Sequence, residues 1–222
     1  MKKILLLMVS AVALSSFVAC SKDNGNNTVS ADTEEVVSGN NHKMLVAYFS
    51  EPLPDGTDAN TSASRLVVNG KVTGSVEYLA HLIQQNTGAD MVRIQTSAPY
   101  PDNFNDLAEQ ANKERQQGER PQLSTDIKNF DDYDIVFVGY PIWWYQMPMP
   151  MYSFFDKYDF NGKTLIPFSS HGGSGWSGSL NVIKNMEPEA TMITGFSVSR
   201  ERSATSAGDV RSWLKQINII AE

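Results

Sequence analysis

The sequence predicts an α/β domain: a three-layer sandwich whose five-stranded parallel sheet, of strand order 2-1-3-4-5, carries helices on both faces. Three observations predict it. Apolar, largely β-branched runs alternate with segments of helical period between Met44 and Ile217, the pattern of a covered parallel sheet. The runs are continuous, as in strands buried on both faces. The third of them, Ile135–Val138, opens straight into an aromatic stretch between Pro141 and Pro148. That places aromatics at the carboxyl rim, where open α/β sheets hold ligands. Right-handed crossovers leave few topologies. Two set strands 1 and 3 side by side, and no GxGxxG follows strand 1 to favour the dinucleotide-binding one.

Taken in order, the chain starts with Lys2 and Lys3, an apolar run Ile4–Val18, and small residues leading to Cys20. This reads as a secretory signal over 1–20, too short to span a bilayer. Ser15–Cys20 resembles a bacterial lipoprotein processing site, which implies lipid on Cys20 and attachment to the cell envelope. Cys20 is the only cysteine, so no internal disulfide can form. Residues 21–42 are polar and aperiodic, a flexible tether. The folded domain is expected over 43–222.

Met44–Phe49 is the first strand, ending at Ser50. Glu51–Lys71 holds Pro52, Pro54, Gly56 and Gly70 and reads as a long loop with a small hairpin around Arg65–Val68. Thr73, Gly74 and Ser75 open a helix bearing Val76, Leu79, Ala80 and Ile83, with Gly88 past its end. Met91–Ile94 is strand two. Asp102–Gln117 is an amphipathic helix with Phe104, Leu107, Ala108 and Ala111 inward, stopped by Gly118. Strand three covers Asp134–Gly139, a short helix Met149–Tyr158, strand four Lys163–Ser169. A helix from about Gly178 to Met186, strand five at Thr191–Phe196 and a closing helix at Ala207–Ile217 complete the domain.

Three loops leave the carboxyl ends of strands 1, 3 and 4 and converge on one rim. The first supplies Ser50 and the helix start Thr73, Gly74, Ser75 and Val76, whose N–H groups and hydroxyls suit a phosphate. An ordinary cap, Thr73 serving Glu77, has the same pattern. The second supplies Pro141, Ile142, Trp143, Trp144 and Tyr145. A lone Trp would cap a core, but three adjoining aromatics in a Pro-bounded loop point to a flat ligand. The third runs His171, Gly172, Gly173, Ser174, Gly175, Trp176, and so many glycines let backbone approach a ligand closely. No HExxH, CxxC or second cysteine suggests a metal.

At these segments the chain resembles the flavodoxin-like family. The likeness lies in VAYFS at strand one, TGSVEYLA at the helix start, GYPIWWYQMPMP, and SSHGGSGWSGSL followed by GFSVSR. It implies non-covalent FMN, with Ser50 and Thr73–Val76 on the phosphate, Pro141–Tyr145 lining the isoalloxazine and His171–Trp176 closing its other side. Two departures stand out: Glu51–Val72 intervenes before Thr73, and Ser75 replaces a usual Asn.

The resemblance thus implies an FMN-binding redox protein, either an electron carrier or an oxidoreductase reducing a small acceptor such as a quinone. The alternative is an anchored binding or assembly protein that has lost FMN. A hydrolase lacks its nucleophile elbow. Loss of the signal removes two lysines and leaves 16 basic against 25 acidic residues, a net −9. That argues against nucleic acid and suits a basic redox partner.

The leader makes one direct prediction. Cys20→Ser should leave the domain folded but release it from membranes or block maturation, read by fractionation and by the mass of the mature N-terminal peptide. An unmodified Cys20 in membrane-bound wild-type protein would contradict the lipid anchor.

Overall fold

The computed structural model describes residues 42–52 and 65–221. Along them run β1 (Met44–Phe49), β2 (Arg65–Val68), β3 (Lys71–Gly74), α1 (Ser75–Thr87), β4 (Asp90–Ile94) and α2 (Phe104–Gln117). Then follow a 3-10 turn (Phe130–Asp132), β5 (Ile135–Pro141), α3 (Met149–Lys157), β6 (Thr164–His171), α4 (Ser179–Met186), β7 (Thr191–Met192), β8 (Phe196–Ser199), α5 (Arg200–Ser203) and α6 (Ala207–Gln216). The expected signal, Cys20, nearly all of the tether and most of the loop after Ser50 lie outside the described residues.

Every strand pair of the main sheet is parallel, in the order β4-β1-β5-β6-β7. Numbered by first appearance in that sheet, this is the expected 2-1-3-4-5. β5 lies between β1 and β6, and all seven of its residues are buried. Its side chains alternate: Val136, Val138 and Tyr140 enter one core, Ile135 and Phe137 the other, as a period of two demands. β1 divides likewise, Leu45, Ala47 and Phe49 against Val46 and Tyr48. Leu107 and Ala111 of α2, Met151 and Phe154 of α3, and Ile183 of α4 close the first core. Val76, Leu79, Ala80 and Ile83 of α1, with Val210, Trp213 and Leu214 of α6, close the second.

The fifth strand differs from the expected Thr191–Phe196. It is two pieces on the same neighbour: Thr164 and Leu165 face Thr191 and Met192, whereas Phe168–His171 face Phe196–Ser199. The register slips by one residue between them. Pro167 sits at the break and has no N–H to give the ladder. Gly195 passes so close that an added Cβ would lie 2.4 Å from the Pro167 carbonyl oxygen. β6 also runs two residues further than expected, taking in Ser170 and His171.

The helix starts follow local chemistry. Asn103 caps α2, its side-chain oxygen accepting from the Asp106 N–H at 3.1 Å, so the helix begins at Phe104. The hairpin pairs Leu66 with Thr73 and Arg65 with Gly74. Thr73 is therefore strand, and Gly74 is the N-cap of α1, so the alternative of an ordinary Thr73 cap does not hold. Among the described residues no helix is long and apolar enough to cross a membrane.

Gly139, mid-β5, shows how tightly the sheet is filled: an added Cβ would lie 2.1 Å from the Phe168 ring across the ladder. Gly139→Ala should therefore destabilise the domain by about 1–3 kcal/mol, the usual cost of overpacking. Denaturant unfolding checks this, and Phe168→Leu in the same chain should recover part of the loss.

Candidate functional site

Beyond β5 the chain is forced into a tight turn. The Ile142 N–H donates to the Ser170 carbonyl at 2.9 Å, which keeps β5 and β6 together to their ends. Trp143 and Gln146 then exchange backbone hydrogen bonds at 2.9 and 3.0 Å. The two residues between them, Trp144 and Tyr145, have φ of 49° and 64°. A two-residue turn with both φ positive ordinarily takes Asn and Gly. For L-residues this conformation costs roughly 1–2 kcal/mol each, and such strain persists only where the surroundings enforce it. Here Trp143 is wedged edge-on between Phe49 and Tyr100, with centroids 5.4 and 5.8 Å away. The Trp144 Nε1–H donates to the Ala108 carbonyl of α2 at 3.1 Å. Trp144 stays half-exposed and Tyr145 is 76% exposed.

This turn forms one wall of a cavity of about 810 Å³. Ile142–Tyr145 line one side, Gly172, Gly173 and Ser174 another, and Phe104, Leu107, Ala108 and Ala111 of α2 a third. Among the described residues no charged side chain lines it. Its size and its apolar, aromatic character are those of a small-molecule site.

The glycine loop is held by His171, the last residue of β6. The Gly173 N–H donates to His171 Nδ1 at 3.0 Å, so the neutral imidazole carries its proton on Nε2. Burial holds His171 below the ordinary imidazole range, against the opposing pull of Glu201. Gly173, at φ 121°, has a backbone that only glycine adopts easily. His171 does not itself line the cavity, nor do Gly175 and Trp176. Trp176 packs on Tyr140 at 6.3 Å and lies against Gly195, and Tyr140 donates from its hydroxyl to Ser179 Oγ. The expected His171–Trp176 wall is thus reduced to Gly172–Ser174 at the cavity. Pro141 is the buried end of β5.

Ser50, Thr73, Gly74, Ser75 and Val76 share no lining with this cavity. Ser50 is fully buried at the end of β1, and its Oγ has no hydrogen-bond partner among the described residues. Such an orphan hydroxyl is uncommon. Beside it the backbone carbonyl of Ser50 accepts from Arg93, which also faces Glu51 at 3.3 Å. The Gly74 N–H donates to the Glu77 carboxylate at 3.3 Å, and Val76 is wholly buried in the core.

Sequence reasoning missed the α2 wall. It assigned Phe104, Leu107, Ala108 and Ala111 to the core face, and the stripe does serve the core through Leu107 and Ala111. Two alanines beside a Phe, with room for a ring between them, were the available signal.

The sequence profile of a family described as Flavodoxin matches residues 64–217. A candidate flavoprotein from Bacteroides eggerthii, solved as a crystal structure, is 27% identical with a TM-score of 0.57, over 80% of this chain and 98% of that one. A second, from Bacteroides uniformis, is 25% identical with a TM-score of 0.60, over 79% and 99%. A flavoprotein from Lactobacillus acidophilus, solved in complex with FMN, shares the fold at 12% identity and a TM-score of 0.52, over 77% and 99%. No curated protein matches.

The strained turn yields a stability prediction. Tyr145→Gly relieves a positive-φ penalty of roughly 1–2 kcal/mol and adds back roughly 0.5–1 kcal/mol of glycine entropy. The ligand-free variant should therefore be more stable by about 0.5–1 kcal/mol in denaturant unfolding. A loss of stability would show that the Tyr145 ring supports the fold.

Proposed function

The chain belongs to the flavodoxin family, and on that premise we propose that it binds FMN at this rim and transfers electrons through it. The cavity of about 810 Å³ between the strained aromatic turn and the glycine loop carries the reading. The residues present fit the cofactor. Trp144 and Tyr145 offer aromatic faces to a planar ring. Gly172 and Gly173 bring backbone to the cavity without side chains, and the buried Ser50 Oγ, unpartnered among the described residues, offers a hydroxyl to an anion. FMN, when bound, supplies one- and two-electron chemistry.

The protein's own part is to bind, orient and shield. The aromatic turn and α2 wall the cavity with largely apolar side chains. The uncharged lining favours a neutral planar acceptor, such as a quinone, over an anionic one, and the net −9 of a processed chain favours a basic redox protein as partner. Cys20 would carry lipid, and the tether would hold the domain off the membrane of the bacterial envelope.

One observation favours the second reading, an anchored binding or assembly protein without FMN. The Glu77 carboxylate already takes the Gly74 N–H at the start of α1, and a second anion there would meet its charge.

Titration of purified protein with FMN and with riboflavin separates the two. FMN should bind with strong quenching of its fluorescence. Ser50→Ala should weaken FMN by about tenfold or more, as expected for a lost bond to a charged group worth about 1.5–3 kcal/mol, and should leave riboflavin nearly unchanged. No binding of either ligand would favour the second reading.

A further inference from the structure

On α2, past the residues that wall the cavity, lies a buried acid that the flavin reading leaves without a task. Glu114 stands on the inner face of α2, three residues past the cavity-lining Ala111, and is 4% exposed. Its carboxylate accepts from the Tyr100 hydroxyl at 2.5 Å and from Gln110 Nε2 at 2.9 Å. Among the described residues no cation pairs with it. Arg115, its neighbour on α2, donates to Asn112; Arg93 faces Ser50 and Glu51; Arg120 holds Asp156. The charged groups that face the pair are negative, Glu119 beyond the end of α2 on both members and Glu51 at the end of β1 on Tyr100.

A buried carboxyl without a counter-charge keeps or recovers a proton more readily than an exposed one. Burial pushes Glu114 up, against the two hydrogen bonds that favour its ionised form. Burial and the same carboxylate push the Tyr100 hydroxyl up as well, so the phenol keeps its proton and the exchangeable one belongs to Glu114. The link to the cavity runs through two side chains: the Tyr100 ring packs edge-on against Trp143 at 5.8 Å, and Trp143 lines the cavity.

We propose that Glu114, oriented by Tyr100, is the proton-exchanging group of this site, taking up a proton when negative charge enters the neighbouring cavity. A unit charge on the order of 10 Å away, at an effective dielectric of about 20, changes the proton affinity of such a group by about tenfold. The proposal rests on the flavin reading. For each pair of electrons delivered by an external reductant, dithionite in vitro, solvent supplies one proton to the bound flavin and a second to the Glu114 carboxylate. Two electrons are then matched by two protons, so the net charge of cavity and Glu114 taken together is unchanged, the negative charge having passed from the carboxylate to the flavin. Glu114 touches neither cofactor nor substrate and acts as a positioning residue for charge.

The test is the midpoint potential of FMN-loaded protein followed from mildly acid to mildly alkaline pH. Wild type should fall with the slope of two protons per two electrons over the range in which Glu114 titrates, and Glu114→Gln with the slope of one throughout. The glutamine keeps an oxygen for the Tyr100 hydroxyl, so a purely structural role for Glu114 predicts equal slopes. Tyr100→Phe serves if Glu114→Gln does not fold: losing a donor to the carboxylate should move the change of slope to higher pH. The infrared carbonyl band of a protonated, buried carboxyl, sought in ligand-free protein, should titrate in wild type and be missing in Glu114→Gln. Equal slopes in wild type and Glu114→Gln, or an unmoved change of slope in Tyr100→Phe, overturn this inference alone. Failure of the wild type to bind FMN overturns both it and the flavin reading.

Discussion

Burial of all seven residues of β5 between β1 and β6 is the constraint from which the rest of the rim follows. A strand with partners on both edges and helices on both faces has no polar side to show water, so its sequence is nearly all apolar. The chain reaches solvent beyond its carboxyl end, at Trp144 and Tyr145, and must leave the sheet there without exposing unpaired backbone. It does so by continuing the pairing through the Ile142 N–H to the Ser170 carbonyl and closing the Trp143–Gln146 turn. The small residue that close packing requires, Gly139 beneath the Phe168 ring, lies inside this strand and not in a flexible loop.

The turn beyond β5 is where the fold accepts a local cost. Two aromatic residues hold φ values suited to Asn and Gly, enforced by the wedge of Trp143 between Phe49 and Tyr100 and by the Trp144 bond to α2. One cluster therefore fixes the aromatic wall and connects, through Tyr100, to the buried Glu114. Binding geometry and buried charge share one set of contacts, so changes at Trp143 should couple to changes at Glu114 rather than add to them.

Much of this was legible in the sequence, and the misses have a common cause. Continuous apolar runs identify β1, β4, β5 and β6, and Gly88 and Gly118 mark helix ends through their own conformations. What the sequence hid depends on partners far along the chain. The split of the fifth strand needs Pro167 beside Gly195. Trp176 turns inward because Tyr140 and Gly195 receive it. Thr73 is claimed by Leu66 in the hairpin before it can cap a helix. Glu114 sits in a polar helix and is buried only because Tyr100 and Gln110 satisfy it. Periodicity also cannot separate a core-facing stripe from one that serves both core and cavity, as α2 does.

A crystal structure of the protein with bound FMN tests the central claim most directly. The isoalloxazine is expected inside the cavity, with Trp144 and Tyr145 on one side and Gly172–Ser174 on another, and the phosphate within hydrogen-bond reach of Ser50 Oγ. Density for FMN elsewhere, or an unoccupied cavity in crystals grown with excess FMN, would contradict it.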